Sequence, residues 1–383
     1  MGRTRRVAVV INLSYQFRHH FDVFAGIERY AQEHGDWECT TNPYIQLSRK
    51  QRGEPKFDGV IARASSELAK QAAELNLPIV NVWAGSPAKS VPSVLPDSRG
   101  CARMAAEHLL LRGYRQFAML GFLRHKGTQQ ALDGFSTVVG EANCPLSTQL
   151  IPVTSDETSQ GWERFTVRLD KWIATWKTPL GVLVLQDWFC RYVATACLRA
   201  GLRIPDDVAL IGFGDEPLIC TRPDPSLSSV NLGQDRVGYQ AAALLDRLMA
   251  GEAPPEKTIH IEPGELVIRR STDSYAVDNP QVRRALRFIA EHSHEGIRVE
   301  DVARHVPAAV RSLERHFRAA LGRTMNEEIA RLRLERATRM LLESDAPVKQ
   351  LARDSGYSDA KYFHQVFVQA QGISPGEYRR RRK

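Results

Sequence analysis

The segment Val348–Phe363, VKQLARDSGYSDAKYF, has the pattern of two short helices joined by a tight turn. Ala352 falls on the inner face of the first helix, where a small side chain permits the close approach of a second helix. Gly356 supplies a residue for which a positive φ costs little, as a tight turn requires. Ser358 is the candidate N-cap of the second helix, because a short polar side chain there can accept a hydrogen bond from a backbone N–H. The segment predicts a helix-turn-helix unit, at about 348–369.

The second helix of this unit has an apolar face and a polar face. Phe363 and Phe367 recur at helical spacing and are expected to pack inside the unit. The outward positions carry side chains suited to the major groove of DNA, since Lys and Gln reach base edges and Ala can meet a thymine methyl group. A solvated face of an ordinary helical hairpin is the alternative interpretation. The candidate DNA-contacting residues of this unit are Ser358, Ala360, Lys361, His364 and Gln365.

A weaker copy of the same pattern precedes this unit. It begins at Val299 and predicts a first helix-turn-helix unit at about 299–318. Its outward positions are Arg311, Glu314 and Arg315. Arg can bind guanine through two hydrogen bonds, and Glu can accept one from cytosine, so these three residues are also candidate DNA contacts.

A single long helix is predicted between the two units, from Met325 to Leu342. A rigid helix there would hold the two recognition helices at a fixed spacing. They could then enter successive major grooves on one face of DNA, about 34 Å apart.

Positive charge is concentrated in the same part of the chain. Residues 280–383 contain 21 Lys and Arg against 13 Asp and Glu, whereas residues 1–279 contain 31 of each. A basic segment attached to a neutral one suggests a polyanionic partner, although a basic surface kept for solubility would give the same balance. Arg318, Arg323 and residues 379–383 are interpreted as phosphate contacts or solubilising groups.

Residues 1–270 alternate short apolar runs with amphipathic helical patterns. Nearly continuous apolar strands separated by helices imply parallel sheets that are covered on both faces, and the length suits two lobes. The expected fold class is therefore a two-lobed α/β domain with doubly wound parallel sheets, followed by an all-α domain with two helix-turn-helix units. The expected division is 1–273, a linker at 274–281, and 282–383. The predicted strands are 7–13, 59–62, 78–83, 117–121, 181–185, 208–213 and 266–268, and the predicted helices are 21–34, 67–75, 99–111, 188–200 and 238–250.

Polar and aromatic residues follow several of the predicted strands. Ligands of open α/β sheets bind beyond the carboxyl ends of the strands, so these residues are candidates for binding a small polar solute. Ordinary loop positions are the alternative for each. The candidates are Asn12, Tyr15, Arg63, Trp83, Gln186, Asp187, Trp188 and Asp215.

Motifs for catalysis, metals or cofactors are not found in the sequence. The six cysteines form no CxxC pair, no Cys/His cluster has metal-ligand spacing, and no GxSxG, Walker A or GxGxxG motif occurs. We therefore expect free thiols in a reducing cytoplasm, no catalytic residue, no metal and no cofactor. No apolar run approaches the roughly 20 residues needed to cross a bilayer, so no membrane partner is expected.

Residues 282–378 closely resemble the AraC/XylS-type DNA-binding domain. The resemblance is carried mainly by the second unit, through Ala352, Gly356-Tyr357-Ser358-Asp359, Tyr362-Phe363, Phe367, Gly372, Ser374-Pro375 and Tyr378-Arg379. The first unit departs from the family, since Pro307 and Ala309 stand where a turn glycine and an N-cap serine are usual. Loss of an N-cap costs about 1 kcal/mol of helix stability, so the first recognition helix is expected to begin less firmly.

Residues 7–273 resemble the periplasmic-binding-protein-like sensor domains of the LacI type. The carrying stretches include Phe57–Ile61, Asp97, Leu202–Pro205, Ile211–Phe213 and Leu227–Val230. The resemblance implies a small-molecule effector bound between two lobes, and adds Asp97 to the candidate ligand residues.

The expected sugar contacts of that family are only partly present. Gly214 stands where the family has an aspartate after the Ile-Gly-Phe strand, and Leu232 falls on a ligand glutamine position. Gln130 or Ala131 replaces an expected arginine. Asp187 matches, and the adjacent Trp188 could stack on the apolar face of a pyranose.

The sequence therefore predicts a DNA-binding transcription regulator gated by a sugar or polyol such as xylose. Ligand would close the cleft between the lobes and change how a homodimer places four helix-turn-helix units on a double-stranded operator. As an activator it would also contact RNA polymerase. Two alternatives stay open: a ligand-independent architectural DNA-binding protein, and an α/β enzyme that uses Asp97, Asp187 and Asp215 as acid and base.

Overall fold

The computed structural model describes residues 4–13, 18–42, 45, 47, 56–152, 159–222, 224–277 and 279–382. The chain divides into two compact units. Unit 1 comprises residues 1–110 and 114–274, and unit 2 comprises residues 111–113 and 275–383. Tyr15, one of the sequence-predicted ligand residues, lies outside the described residues.

Unit 1 alternates strands and helices along most of its length. Its strands are β1 (Arg5–Val10), β2 (Trp37–Thr41), β3 (Gly59–Ala62), β4 (Ile79–Asn81), β5 (Val94–Pro96), β6 (Phe117–Phe122), β7 (Leu146–Ile151), β8 (Leu180–Val184), β9 (Val208–Phe213), β10 (Ser228–Val230), β11 (Ile259–Ile261) and β12 (Leu266–Val267). Its helices are α1 (Arg18–His34), α2 (Ser66–Glu74), α3 (Ser98–Leu111), α4 (Lys126–Glu141), α5 (Ser159–Ile173), α6 (Asp187–Arg199), α7 (Pro217–Cys220) and α8 (Gln234–Met249).

Two sheets define two lobes. Lobe 1 contains the parallel sheet β2-β1-β3-β4 together with the small parallel pair β11-β5. Lobe 2 contains the sheet β12-β10-β9-β8-β6-β7, in which only β12 pairs antiparallel among the described strands. The residues of β3, β8 and β9 are buried throughout, as expected for strands covered on both faces. The predicted two-lobed α/β architecture is confirmed.

Close helix packing holds the helical layer of lobe 1 in place. α1 and α8 cross at Gly26 and Gly238, where a Cβ atom on either glycine would collide with a backbone carbonyl of the other helix. On their inner side the two helices bury Ile27 and Leu245 against the sheet. Ser65 begins α2, because its Oγ accepts a hydrogen bond from the backbone N–H of Leu68 at 3.1 Å.

Unit 2 is helical throughout its described regular structure. The helix α9 and a short 3-10 turn, Ser293–Glu295, precede two helix-turn-helix units that are linked by a long helix. The helices are α9 (Pro280–His292), α10 (Val299–His305), α11 (Val310–Leu321), α12 (Met325–Glu343), α13 (Val348–Asp354), α14 (Ala360–Gln371) and α15 (Pro375–Arg382).

The long helix α12 contributes to two separate hydrophobic cores. Ile329, near its start, packs with α9, α10 and α11 in the first core. Leu341, near its end, packs with α13, α14 and α15 in the second core. α12 is therefore the shared element that fixes α11 relative to α14, as the sequence predicts for the helix between the two units.

Candidate functional sites

The helix α14 presents a polar face to solvent and an aromatic face to the core. Phe363 and Phe367 are fully buried. On the other side of the helix, Lys361, His364 and Gln365 are exposed, each one to two residues from a buried phenylalanine. The sequence-predicted face therefore exists as a surface that can enter a groove of DNA. Ser358 is also exposed, and Ala360 is half-buried.

The turn before α14 differs from the sequence prediction in one residue. The predicted N-cap, Ser358, is wrong: Asp359 begins the helix, and its carboxylate accepts hydrogen bonds from the backbone N–H groups of Lys361 (3.0 Å) and Tyr362 (3.4 Å). A carboxylate at this position also interacts favourably with the helix dipole, which a serine hydroxyl does far less. Gly356 adopts the predicted left-handed conformation, with φ of 87°.

The first unit has the same layout with a weaker start. Leu313 and Phe317 are buried on the inner face of α11, and Arg311, Glu314 and Arg315 are exposed on its outer face. The N-cap of α11 is Ala309, which makes no side-chain hydrogen bond to the helix. The expectation of an uncapped first recognition helix is therefore confirmed.

Two arginines that the sequence assigned to phosphate contacts or solubility instead stabilise unit 2. Arg323 Nε lies 2.5 Å from Oε2 of the fully buried Glu328. Arg379 donates to the carbonyl of Leu341 at 3.3 Å and to that of Ala346 at 2.7 Å, so it satisfies carbonyl groups at the end of α12. Both guanidinium groups are occupied by the protein, and the assignment to DNA phosphates or solubility is wrong for them.

The strand-end cluster of lobe 1 consists of Asn12, His20, Arg63 and Trp83. Asn12 and Arg63 follow β1 and β3, Trp83 follows β4, and His20 lies in the first turn of α1. His20 Nδ1 lies 2.6 Å from the Asn12 carbonyl oxygen, and Nη1 of Arg63 lies 2.9 Å from His20 Nε2. The Arg63 guanidinium sits over the Trp83 ring, 4.8 Å from its centroid. The sequence predicted three of these four residues.

The charge of Arg63 affects three histidines, and not all of them belong to lobe 1. Burial, followed by the nearby His20 and Arg63, lowers the pKa of His19 to about 3. Burial and the charge of Arg63 also lower the pKa of His20 and of His125, which lies at the start of α4 in lobe 2. These histidines were not predicted from sequence, because none of them directly follows a predicted strand.

The strand ends of lobe 2 are organised around a buried carboxylate. Asp187 is only 2% exposed. Its Oδ1 accepts from Ser229 Oγ at 2.6 Å, and its Oδ2 accepts from the backbone N–H of Glu216 at 2.8 Å. Burial raises the pKa of Asp187 to about 6, and the hydrogen bonds from Ser229 and Glu216 oppose that shift. Asp187 therefore ties the segments that follow β8 and β9 to strand β10.

The remaining carboxylates predicted to bind ligand are also occupied by protein groups. Asp215 pairs with Arg269 at 2.7 Å, with both side chains largely buried. Asp97 accepts from the backbone N–H of Gly100 at 2.9 Å, at the start of α3. On lobe 2, Glu216 accepts from the backbone N–H of Arg18 on α1 at 2.8 Å, which joins the two lobes of unit 1.

Trp188 lies with other aromatic residues and not with Trp83. It is 37% exposed in the first turn of α6, and its ring contacts that of Tyr192 at 5.7 Å. Tyr192 in turn contacts Trp162 of α5 at 4.4 Å. Gln186 is the N-cap residue of α6, where its side chain makes no capping hydrogen bond.

Two surface depressions are present away from the strand ends. One, of about 250 Å³, is lined by residues of α1 and β2, and the other, of about 890 Å³, lies along α5. Neither contains a sequence-predicted ligand residue. Within the described part of the chain, no group of three or more His, Cys, Asp or Glu could hold a metal ion, and the six cysteines are free thiols. No described helix is long and apolar enough to cross a membrane.

Known protein families match part of each unit. Residues 106–272 match the periplasmic binding protein-like domain, and residues 302–381 match a helix-turn-helix domain. The xylose operon regulatory protein of Escherichia coli (strain K12) is 27% identical over 385 residues, which cover 98% of this chain and 97% of that protein. The chain is a DNA-binding transcription regulator that combines a periplasmic binding protein-like domain with an AraC-type helix-turn-helix domain.

Further relatives agree with this assignment over different lengths of the regulator. The xylose operon regulatory protein of Haemophilus influenzae is 27% identical over 75% of this chain and 74% of that protein. The solved structure of a xylose-binding transcription activator superposes with a TM-score of 0.58 at 26% identity, over 98% of this chain and 97% of the other. A cellobiose complex of another transcriptional regulator, at 21% identity and a TM-score of 0.55, shares the fold over 70% of this chain and 85% of the other. The relatives named here are regulators, and none is named as an enzyme.

Proposed function

We propose that this regulator senses a sugar or related polyol in the cleft of unit 1 and controls operator binding by unit 2. The observation that carries the proposal is the strand-end cluster, in which an aromatic ring and a fixed guanidinium lie together at the carboxyl ends of β3 and β4. Ligands of open α/β sheets bind at this edge. An aromatic face with nearby polar groups suits the mixed apolar and hydroxylated surface of a sugar. Xylose is one candidate, because two relatives are named for it.

The proposed ligand set keeps the sequence-predicted residues with different weights. Arg63 and Trp83 are the principal contacts, since the strand-end cluster holds them side by side. Asn12, Gln186, Trp188 and Asp215 are secondary candidates at the same edges. Asp97 and Asp187 would shape the site mainly through the backbone segments that they tie together.

The regulatory mechanism follows from two lobes joined around one cleft. Ligand that contacts both lobes favours the closed arrangement, and a difference in affinity for the open and closed states shifts the population between them. We propose that the regulator acts as a homodimer in the cytoplasm, with residues 1–273 sensing the ligand, 274–281 forming a linker and 282–383 binding DNA. As an activator it would contact RNA polymerase once bound to its operator.

On DNA, α14 is proposed as the principal recognition helix and α11 as the second. Lys361 and Gln365 lie on the exposed face of α14 and have side chains of the types that contact base edges in the major groove. A good bidentate contact discriminates against the wrong base by about 1–3 kcal/mol. Arg311 and Arg315 supply the corresponding contacts from α11.

The DNA-binding proposal is tested by fluorescence anisotropy with an operator selected from a random DNA pool by the full chain. The double substitution Lys361→Ala and Gln365→Ala should weaken binding to the selected operator by at least about tenfold more than binding to scrambled DNA. The matched control replaces Gln160 and Lys171, two exposed residues of α5, and should change neither affinity. Equal losses on operator and scrambled DNA would remove the assignment to base recognition.

The sensing proposal is tested by thermal shift of the full chain against a panel of sugars, sugar acids and polyols. A compound that binds only the folded protein raises its unfolding temperature in a concentration-dependent way. A compound that raises it should also change operator affinity in the anisotropy assay. If no compound in the panel raises the unfolding temperature or changes operator affinity, the hypothesis that the regulator senses a sugar is wrong.

A further inference from the structure

Arg333 lies near the middle of α12, between the residues that pack in the two hydrophobic cores of unit 2. The helices around the first core are called the first bundle, and those around the second core are called the second bundle. Resting on the proposed base recognition by α11 and α14, we infer that Arg333 docks the two bundles onto each other. As a positioning residue, it thereby sets the separation between two DNA elements that the regulator accepts.

The guanidinium of Arg333 binds the first bundle through two backbone carbonyl groups. Its Nε donates to the Ser293 carbonyl at 2.8 Å, and its Nη2 donates to the Ile297 carbonyl at 2.7 Å. Both carbonyls lie in the segment between α9 and α10, and Ser293 is only 5% exposed. Hydrogen bonds from a charged donor are roughly twice as strong as those between neutral groups. Because both acceptors belong to the backbone, Arg333 fixes this segment relative to α12.

The second bundle reaches the same segment through Gly356, in the turn between α13 and α14. A Cβ atom on Gly356 would lie 2.5 Å from the Ser293 carbonyl oxygen and 2.9 Å from Arg333 Nε, so the two bundles touch beside the guanidinium. Gly356 closely precedes Asp359, the N-cap of α14, and the contact therefore lies at the base of that recognition helix. The inter-bundle bridge is the name used here for Ser293, Ile297, Arg333 and Gly356.

The inter-bundle bridge connects the two bundles in addition to the helix that they share. Long helices curve gently and are rarely straight. If α12 alone joined the bundles, a small change in its curvature would move α11 and α14 relative to each other. The bridge joins the segment before α10 to the turn before α14, outside the backbone of α12. It therefore opposes the bending that would change the separation of the recognition helices.

A nearby arginine supports one bundle without joining the two. Arg336 lies about one turn further along α12 and donates to the Asp354 carbonyl at 3.0 Å. Asp354 ends α13, which packs in the second core together with the end of α12. Arg336 thus makes a contact of the same kind within the second bundle, and it provides a matched control for Arg333.

The geometry of DNA makes the docking of the two bundles measurable. One inserted base pair moves a DNA element by about 3.4 Å along the axis and rotates it by about 35°, since a turn comprises about 10–10.5 base pairs over about 34–36 Å. Two firmly docked recognition helices match one separation of their elements. Loosely joined helices would tolerate several separations.

The test measures the affinity of the full chain for a set of operators by fluorescence anisotropy. The elements are located first, as the bases whose substitution no longer matters when the contacting helix is altered. The double variant Lys361→Ala, Gln365→Ala locates the α14 element, and Arg311→Ala, Arg315→Ala locates the α11 element. One base pair is then inserted or deleted midway between them. The unmodified protein should lose about tenfold or more in affinity, comparable with the cost of a mismatched base pair.

Arg333→Met keeps much of the side-chain length and removes both hydrogen bonds of the bridge. The measured quantity is the ratio of the affinities for the selected operator and the altered operators. In Arg333→Met this ratio should fall by about threefold or more, as expected when groups in direct contact are uncoupled. Arg336→Met also removes a contact to a backbone carbonyl, and should keep the ratio even if it lowers the denaturation midpoint.

Arg333→Lys decides the question if Arg333→Met does not fold. Lysine keeps the positive charge but replaces the planar guanidinium with a single ammonium group, so the bridge is weakened less. The ratio should fall in this variant too, by a smaller factor. A ratio as high as that of the unmodified protein, in the Arg333 variant that folds, overturns the role of Arg333.

The remaining outcomes separate the docking role from the base recognition on which it rests. An equal fall in Arg336→Met would trace the effect to general loosening of unit 2 and overturn the docking role. So would an unmodified protein that binds all the operators equally well. If no base substitution loses its effect in the α11 and α14 variants, the proposed base recognition is wrong, and the docking role is overturned with it.

Discussion

His20 Nε2 accepts a hydrogen bond from Arg63 Nη1 at 2.9 Å, and this contact joins the start of α1 to the end of β3. His20 is only 2% exposed, so the bond is shielded from solvent and its geometry is well defined. The same ring also donates to Asn12, which follows β1. One buried histidine thus positions the guanidinium at the carboxyl edge of the lobe 1 sheet.

Replacing His20 with phenylalanine should weaken ligand binding more than it weakens the fold. The substitution keeps a ring of similar size and removes the hydrogen bonds to Asn12 and Arg63, at a cost of about 1–3 kcal/mol in the free energy of unfolding. Arg63 loses its orientation, so calorimetry should show ligand affinity reduced by about tenfold or more. His34→Phe, at the exposed end of α1, is the control. An unchanged ligand affinity in His20→Phe would contradict the positioning role.

Stability should fall as the pH drops below about 6.5 because of the buried histidines. His19, with a pKa lowered to about 3, stays neutral in the folded protein while it takes up a proton in the unfolded chain. Between pH 6.5 and pH 3 the unfolded chain therefore binds more protons at His19 than the native state does. Lowering the pH in this range stabilises the unfolded state relative to the native state. Asp187 acts in the opposite direction, because its raised pKa of about 6 makes the folded state bind more protons below that pH.

Urea unfolding of the full chain between about pH 7.5 and pH 6 isolates the histidine contribution, since Asp187 adds little above its own pKa. The midpoint should be lower at the acidic end of this range. His19→Gln should reduce the difference, whereas His34→Gln should leave it as it is. A midpoint that does not vary in this range, or one that varies equally in both variants, would show that His19 does not control it.

Strands whose residues are all apolar and buried, such as β3 and β9, are predictable from sequence, whereas the partly exposed strands β2 and β7 are not. The observed bounds of β3 and β9 equal the predicted ones, because the residues of these strands are apolar throughout and buried on both faces of the sheet. β2 and β7 were missed, since they lie at the edges of their sheets and their residues are partly exposed. The exposed residues of β2 and β7 interrupt any continuous apolar run, so neither strand stands out in the sequence.

Two helices of lobe 2, α4 and α5, were also missed. α4 contains Gly134, which weakens a helical pattern in sequence. The structure gives the reason for the glycine, since a Cβ atom there would collide with the backbone carbonyl of Arg99 on α3. Close approach of two backbones depends on tertiary packing and cannot be deduced from one helix alone.

The proposed ligand site was predicted only in part for a similar reason. Arg63 and Trp83 lie at the carboxyl ends of predicted strands, so the rule that ligands bind at strand ends identifies them. His20 and His125 lie in or beside the first turns of helices, and only the fold brings their rings near Arg63. In unit 2 the repeated sequence pattern predicted both recognition helices. The structural roles of Arg323 and Arg379 could be recognised only from the groups that they contact in the folded chain.

Glu328→Gln should destabilise unit 2 strongly. The carboxylate is fully buried and contacts Arg323 at 2.5 Å and Arg331 at 2.8 Å. Burial raises its pKa, but the hydrogen bonds and charges of Arg331 and Arg323 outweigh burial and hold it below the ordinary value. Removing one partner of a buried ionic group leaves uncompensated charge, at a cost of about 3–5 kcal/mol.

The control for this prediction is Glu335→Gln. Glu335 contacts the same Arg331 at 2.7 Å but is 42% exposed in its side chain. Its loss should change the free energy of unfolding by no more than about 1 kcal/mol, as is usual for exposed pairs. Chemical denaturation of the full chain, with operator affinity as a second measurement, compares the two. Similar effects of both substitutions would disprove the special role of the buried carboxylate.

The helix α14 has a hydrogen-bonding N-cap residue and α11 has none, so removing the first cap and adding the second should have opposite effects on stability. Asp359→Ala removes both hydrogen bonds that begin α14, and should cost about 1 kcal/mol of stability and weaken operator binding. Ser358→Ala should have little effect on stability, because Ser358 is not the cap. Ala309→Ser offers α11 the cap that it lacks and should stabilise unit 2 by a similar amount.

The three substitutions together distinguish capping from general surface effects. If α11 begins poorly because Ala309 cannot cap it, Ala309→Ser should also tighten operator binding, since a better-ordered recognition helix loses less entropy on entering the groove. Denaturation midpoints and anisotropy on the same operator measure both effects. A gain in stability without tighter DNA binding would mean that α11 is already ordered in the unbound regulator, and that α14 alone limits the affinity.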